Sequence, residues 1–176
     1  MIHNLDNPSR RRLFRGKIVQ PAPSLRLPWI INEAHFIDNC TQCGDCITAC
    51  ETNIITKDES GFPKIDFSEN ECTFCNKCQD SCQQPLFIDK DNRVANNILP
   101  WPATLSINEK CLAKNQIYCQ SCQDVCETKA ITFSFNSSIP TPSINLADCT
   151  QCGACISTCP QESILLNIDK IEVVNA

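Results

Sequence analysis

The sequence predicts a small α+β protein made of two tandem halves, each a set of short hairpins and short helices, and three observations predict it. Sixteen of the 176 residues are cysteine, and they fall into four groups with none left over. The stretches between the first and second groups and between the third and fourth each read as a hairpin. Apolar residues are also scarce: the hydrophobic fraction of 42% counts the cysteines, and without them about a third of the chain remains to build a core. With only 4 Gly and 11 Pro as well, neither a large single-core enzyme domain nor a glycine-rich nucleotide fold is expected.

In chain order, residues 1–32 form a basic, proline-containing extension, 33–92 the first half, 93–104 a linker, 105–170 the second half and 171–176 a tail. In the first half, Asn53-Ile54-Ile55-Thr56, a polar turn at 57–61 and Phe62-Pro63-Lys64-Ile65-Asp66-Phe67 make the hairpin, and Leu86-Phe87-Ile88 a closing strand. The second half repeats the plan with Ala130-Ile131-Thr132-Phe133-Ser134-Phe135, a Ser/Pro turn, Ser143-Ile144-Asn145-Leu146 and the closing strand Ile164-Leu165-Leu166-Asn167-Ile168. Trp29 and Trp101 flank prolines and are expected to cover the entrances of the two halves.

The groups are Cys40, Cys43, Cys46, Cys50; Cys72, Cys75, Cys78, Cys82; Cys111, Cys119, Cys122, Cys126; and Cys149, Cys152, Cys155, Cys159. Groups one, two and four follow C-x2-C-x2-C-x3-C, the bacterial ferredoxin run, while group three widens its first gap to seven residues. Thiolates at i, i+3 and i+6 suit three irons on one side of a 4Fe-4S cubane. The fourth cysteine, one helical turn beyond the third, points toward a neighbouring cluster. Each half is therefore expected to be a dicluster (2 × 4Fe-4S) ferredoxin-like unit in which metal binding substitutes for a missing core. Zinc knuckles would leave the third cysteine unused. Disulfides need an oxidising compartment and bridge cysteines three apart poorly.

Two pairings of the groups stand open. Cys40-Thr41-Gln42-Cys43-Gly44 recurs as Cys149-Thr150-Gln151-Cys152-Gly153, which favours a nested pairing of one with four and two with three. Spacing favours tandem pairing: 21 and 22 residues lie inside the two halves, against 28 with Pro100-Trp101-Pro102 between Cys82 and Cys111. In group three, Ile107-Asn108-Glu109-Lys110-Cys111 resembles the left flank of Cys149, so Cys111 takes the first-ligand position and four clusters are expected; three would remain if the widened group were empty.

Residues 1–28 hold Arg10, Arg11, Arg12, Arg15, Lys17 and Arg26 against Asp6, a balance of +5, which leaves −10 for the rest of a chain whose net charge is −5. Such a segment on an acidic body is expected to face a partner, with Arg10, Arg11, Arg12 and Arg15 as the contacts. It is too short, and too poor in interleaved aromatics, for a nucleic-acid site. Ser9-Arg10-Arg11-Arg12-Leu13-Phe14-Arg15 mimics a twin-arginine export signal, but the polar, proline-broken sequence after it is not an apolar h-region. No apolar run reaches the length of a membrane span, and export to an oxidising compartment is not supported. His3 and His35 are surplus as ligands, and no nucleotide fingerprint or catalytic triad is visible, so the chain is not expected to be an enzyme.

The chain resembles the NapF-type ferredoxins that accompany periplasmic nitrate reductases. The resemblance rests on Ser9-Arg10-Arg11 through Gly16, Pro28-Trp29, His35-Phe36, Asn70-Glu71-Cys72, Phe74-Cys75, the widened third group ending Cys119-Gln120-Ser121-Cys122-Gln123-Asp124-Val125-Cys126-Glu127, and the fourth group. It implies a cytoplasmic iron-sulfur protein that interacts with the precursor of the nitrate reductase catalytic subunit and assists its maturation before export. The other function class is a general electron carrier moving single electrons from an unidentified donor to a redox partner.

Overall fold

The computed structural model describes residues 24–134 and 138–168. Its elements run α1 (Glu33–Asn39), α2 (Asp45–Ala49), β1 (Ile55–Lys57), β2 (Pro63–Ile65), α3 (Lys77–Asp80), α4 (Lys90–Ala95), β3 (Ala103–Ile107), α5 (Ser121–Asp124), β4 (Ile131–Ser134), β5 (Thr141–Ile144), α6 (Ala154–Ser157) and β6 (Ile164–Ile168). Among the described residues the longest helix, α1, has seven residues, and such short helices need local caps and packing to persist. At its start the Asn32 side chain accepts a hydrogen bond from the His35 N–H at 2.8 Å, and Glu33 adds an acidic first turn. Asp89 caps α4 in the same way, accepting from the N–H groups of Asp91 and Asn92.

The strands make three antiparallel pairs. β1 and β2 form the first hairpin, with Ile55 opposite Ile65, and β4 and β5 form the second, with Ile131 opposite Ile144. β3 pairs with β6, Leu105 opposite Leu166 and Ile107 opposite Ile164, so the strand entering the third cysteine group lies beside the strand leaving the fourth. In the first half a single bridge, Ile30 to Phe87, does the same job, fixed by Ile31 N–H to Leu86 O at 2.9 Å and Ile88 N–H to Trp29 O at 2.8 Å. The closing segment Leu86-Phe87-Ile88 thus makes a bridge rather than a strand. Neither β3, which straddles the expected boundary at residue 104, nor α4, a polar segment with no apolar periodicity, is marked in the sequence.

The main core, built of Leu27, Phe36, Ile54, Ile55, Phe62, Ile65, Phe67, Leu86 and Trp101 among others, draws mostly on residues 33–92, with Ile156 and Leu166 packed against it from the far side of the chain. A smaller cluster of Leu105, Ile131, Cys155 and Ile164 serves the second half. Arg26 and Leu27 are 3% and 1% exposed, so the end of the basic segment is core rather than tail. Arg26 donates to Glu33 and Asp58 and lies over the rings of Phe36 and Phe62 at 5.7 and 5.9 Å. The two tryptophans do not divide between the halves. Both pack on Phe74, and the Trp101 indole is buried, edge-on to Phe67, donating to the Arg26 carbonyl at 2.7 Å.

Candidate metal centres

The cysteine loops are shaped by left-handed backbone where the sequence mostly lacks glycine. In groups one, two and four the residues on either side of the second cysteine have positive φ: Gln42 and Gly44, Phe74 and Asn76, Gln151 and Gly153. Such residues reverse the chain within one step, which lets cysteines three apart face one centre, and strained backbone of this kind clusters at functional sites. A helical turn then follows in each loop, α2, α3 or α6, carrying the third cysteine. Three residues after the fourth cysteine the chain turns left-handed again at Asn53, Lys129 and Glu162, while group two has Pro85 at that place.

Group three reaches its geometry differently. After Cys111 the chain closes a turn in which Asn115 N–H donates to Cys111 O at 3.1 Å and Ile117 N–H to Leu112 O at 2.9 Å. The Asn115 side chain also donates to the Glu109 and Cys111 carbonyls, and Lys114 to the carbonyl of Ile107. Ala113 is fully buried beneath this turn. The extra residues are thus folded back on themselves, and Cys119 returns to the cavity that Cys111 lines.

The thiols gather in crossed sets. One cavity is lined by Cys72, Cys75 and Cys78 together with Cys50 of group one. Another is lined by Cys111, Cys119 and Cys122 with Cys159 of group four, and a third by Cys149, Cys152 and Cys155 with Cys126 of group three, Cys72 of group two lining it as well. In the first group, Cys40, Cys43 and Cys82 are the charges that act on Cys46. Among the described residues no three His, Cys, Asp or Glu side chains converge tightly enough for a single metal ion, and none of the sixteen cysteines is paired in a disulfide. Four sulfur donors spread around a cavity fit a 4Fe-4S cluster.

Burial pushes the thiols of Cys46, Cys78 and Cys155 up to about 12 and those of Cys72 and Cys122 up to about 11, with neighbouring thiols adding to the rise. Cys40 and Cys149 are raised by burial as well. Burial works the same way on Cys126 and Cys159, but there hydrogen bonds from Thr128 and Ser163 outweigh it and leave both below the ordinary thiol value. The Ser163 hydroxyl stands 3.1 Å and its N–H 3.3 Å from Cys159 Sγ. Buried thiols of this kind hold their protons until metal takes the protons' place.

Two buried arginines flank the first-half loops without any sequence signal that marks them. Arg93 of α4 stacks on the Trp29 ring at 4.0 Å and donates to the Asn76 side chain at 2.6 Å, so it braces the loop between Cys75 and Cys78. His35 packs on Pro85 through a 2.8 Å hydrogen bond and lines none of the three cavities. Arg10, Arg11, Arg12 and Arg15 lie outside the described residues. Among the described residues no helix is long and apolar enough to cross a membrane.

Short helices, small antiparallel sheets and crossed sets of four thiols define a ferredoxin-type iron-sulfur protein. The model of the 4Fe-4S dicluster domain matches twice, over residues 39–84 and 117–163. The chain is 38% identical over 157 residues to the ferredoxin-type protein NapF of Escherichia coli K12, covering 89% of this chain and 92% of that one. It is likewise 38% identical over 174 residues to NapF of Haemophilus influenzae, covering 93% and 96%. The methylamine utilization ferredoxin-type protein MauM of Methylorubrum extorquens is more distant, at 28% over 152 residues covering 78% and 69%. No solved structure matches. The chain belongs to the NapF family of ferredoxin-type proteins and carries multiple 4Fe-4S clusters.

Proposed function

We propose that this chain is a cytoplasmic helper of periplasmic nitrate reductase, one that binds the precursor of the catalytic subunit and assists its maturation before export. Family membership carries the partner, and the four crossed thiol sets carry the chemistry. Cys40, Cys43, Cys46 and Cys82 would hold one cluster; Cys72, Cys75, Cys78 and Cys50 a second; Cys111, Cys119, Cys122 and Cys159 a third; Cys149, Cys152, Cys155 and Cys126 a fourth. This is the tandem pairing, supported by the β3–β6 pair and the Ile30–Phe87 bridge that frame the halves. The clusters would supply reversible one-electron chemistry. The chain's own residues hold the thiolates apart, shield them in two small cores, and offer Thr128 and Ser163 hydroxyls to the Cys126 and Cys159 sulfurs.

Anaerobic co-purification tests the reading. The tagged chain is presented with the cofactor-free precursor of the catalytic subunit and with the mature enzyme. Retention of the precursor alone is expected. Equal retention of both forms would instead support a general electron carrier, and retention of neither would remove the partner.

A further inference from the structure

Resting on the four-cluster assignment above, we infer that the Cys72-Thr73-Phe74 segment bridges the group-two and group-four clusters, which makes these the inner pair of a series that runs one, two, four, three rather than in chain order.

Three observations carry it. The Cys72 N–H donates to the Cys152 carbonyl at 2.8 Å, joining the backbone of the second cysteine loop directly to that of the fourth. Cys72, Thr73 and Phe74 line the cavity that Cys50, Cys75 and Cys78 surround, and the same three residues line the cavity of Cys126, Cys149, Cys152 and Cys155. A single strip of chain is therefore the common wall of two cluster sites. By contrast the cavity lined by Cys111, Cys119, Cys122 and Cys159 takes all its residues from the second half, so the third group's site is not the one that meets the first half.

The wall is rigidly seated. Phe67 lies against Gly153 and meets Trp101 edge-on at 5.6 Å, Trp101 touches Phe74 at 6.3 Å, and the Gln151 side chain accepts from the Trp101 N–H at 3.3 Å. Electron exchange falls off steeply with distance, so sites that share one wall are the pair placed to exchange electrons between the halves. The step is a one-electron exchange: the group-two centre is oxidised as the group-four centre is reduced, no bond is made or broken, and the first electron comes from a low-potential one-electron reductant. The two halves are thereby one conductor with its ends at groups one and three.

The test uses the full chain with its clusters reconstituted, reduced with dithionite and examined by electron paramagnetic resonance, where neighbouring reduced clusters broaden one another. Cys152→Ser removes the group-four cluster and is expected to leave the group-three cluster as an isolated, unbroadened signal. Cys119→Ser removes the group-three cluster and is expected to leave no isolated signal, because one, two and four stay contiguous. The reverse pattern overturns the order, as does an isolated signal in both variants or in neither. Should either variant lose all its iron, Phe67→Leu in the four-cluster protein decides: it removes the ring that lies against the fourth loop and Trp101. Weakened broadening at unchanged iron content is expected, and unchanged broadening overturns the bridge. Iron content and reversible bleaching of the unmutated protein are read alongside. Fewer than four clusters, or no reversible reduction, would overturn the four-cluster reading itself, whereas full reversible loading with the wrong coupling pattern overturns the order alone.

Discussion

Phe67 rests directly on Gly153, so closely that a Cβ at Gly153 would overlap the aromatic ring. Gly44, the equivalent residue of the first group, has nearly the same backbone, φ +90° against +92°, yet a Cβ there would meet nothing within 4 Å. The pair separates two costs. Gly44→Ala is expected to lose about 1–2 kcal/mol from the left-handed backbone alone. Gly153→Ala is expected to lose that and a further ~1–3 kcal/mol for overpacking. Thermal unfolding of the two loaded variants, read as the difference between them, checks it; equal losses would show that Phe67 does not press on the fourth loop.

Cys111 carries the question of the widened group. The dicluster match begins at residue 117 and so leaves Cys111 outside it, whereas the structure seats Cys111, 9% exposed, on the cavity with Cys119, Cys122 and Cys159. Cys111→Ser is expected to lower iron and sulfide by about one cluster in four. Unchanged iron and sulfide content would mean that the thiol is a packing residue and that the site is held by other ligands.

What was legible in the sequence is what metal spacing and period-two patterning encode. The four cysteine groups, both hairpins and the closing strand at Ile164–Ile168 could be read because cubane ligation and strand alternation are local constraints. The contacts between halves could not. Phe67, Trp101 and Gln151 meet across more than thirty residues of chain, and the positive φ at Gln42, Phe74 and Gln151 falls on residue types that do not advertise it. Arg26 misled for a related reason. It belongs by composition to a basic segment, but its burial depends on Asp58 and Glu33, which composition does not bring to it.

The Arg26–Asp58 pair sets an acid limit. Burial works against the Asp58 charge, but the Arg26 hydrogen bond at 2.8 Å and the Phe62 N–H outweigh it and hold the carboxyl below its ordinary value of 3.8. A depressed folded-state value means that the stabilisation is present above the ordinary value and is lost as pH falls through the folded one. Asp58→Asn is therefore expected to be less stable than the parent at pH 7, by about 3 kcal/mol for a buried guanidinium left partly uncompensated. The gap should narrow below pH 4. Melting of both loaded proteins from pH 7 to pH 3 checks it, since acid lability of the clusters is common to the two and cancels. A gap that stays constant across that range would assign the loss to packing.

Docking through the basic segment can be tested only with a truncation that respects the core. Removal of residues 1–28 would take Arg26 and Leu27, both buried in the first half, and would confuse folding with binding. Removal of residues 1–23 deletes Arg10, Arg11, Arg12, Arg15 and Lys17 while sparing that core. Iron content and reduction by dithionite are expected to match the parent, and retention of the nitrate reductase precursor to be lost. A full-length variant with Arg10, Arg11, Arg12 and Arg15 changed to Glu separates charge from length. If the contact is electrostatic, that variant should also fail, and binding by the parent should weaken as salt shortens the Debye length from about 10 Å at 0.1 M toward 3 Å at 1 M. Undiminished, salt-insensitive retention by the truncated chain would place the docking surface on the described body instead, with the exposed Ile117 and Tyr118 of the widened third loop as the next side chains to change.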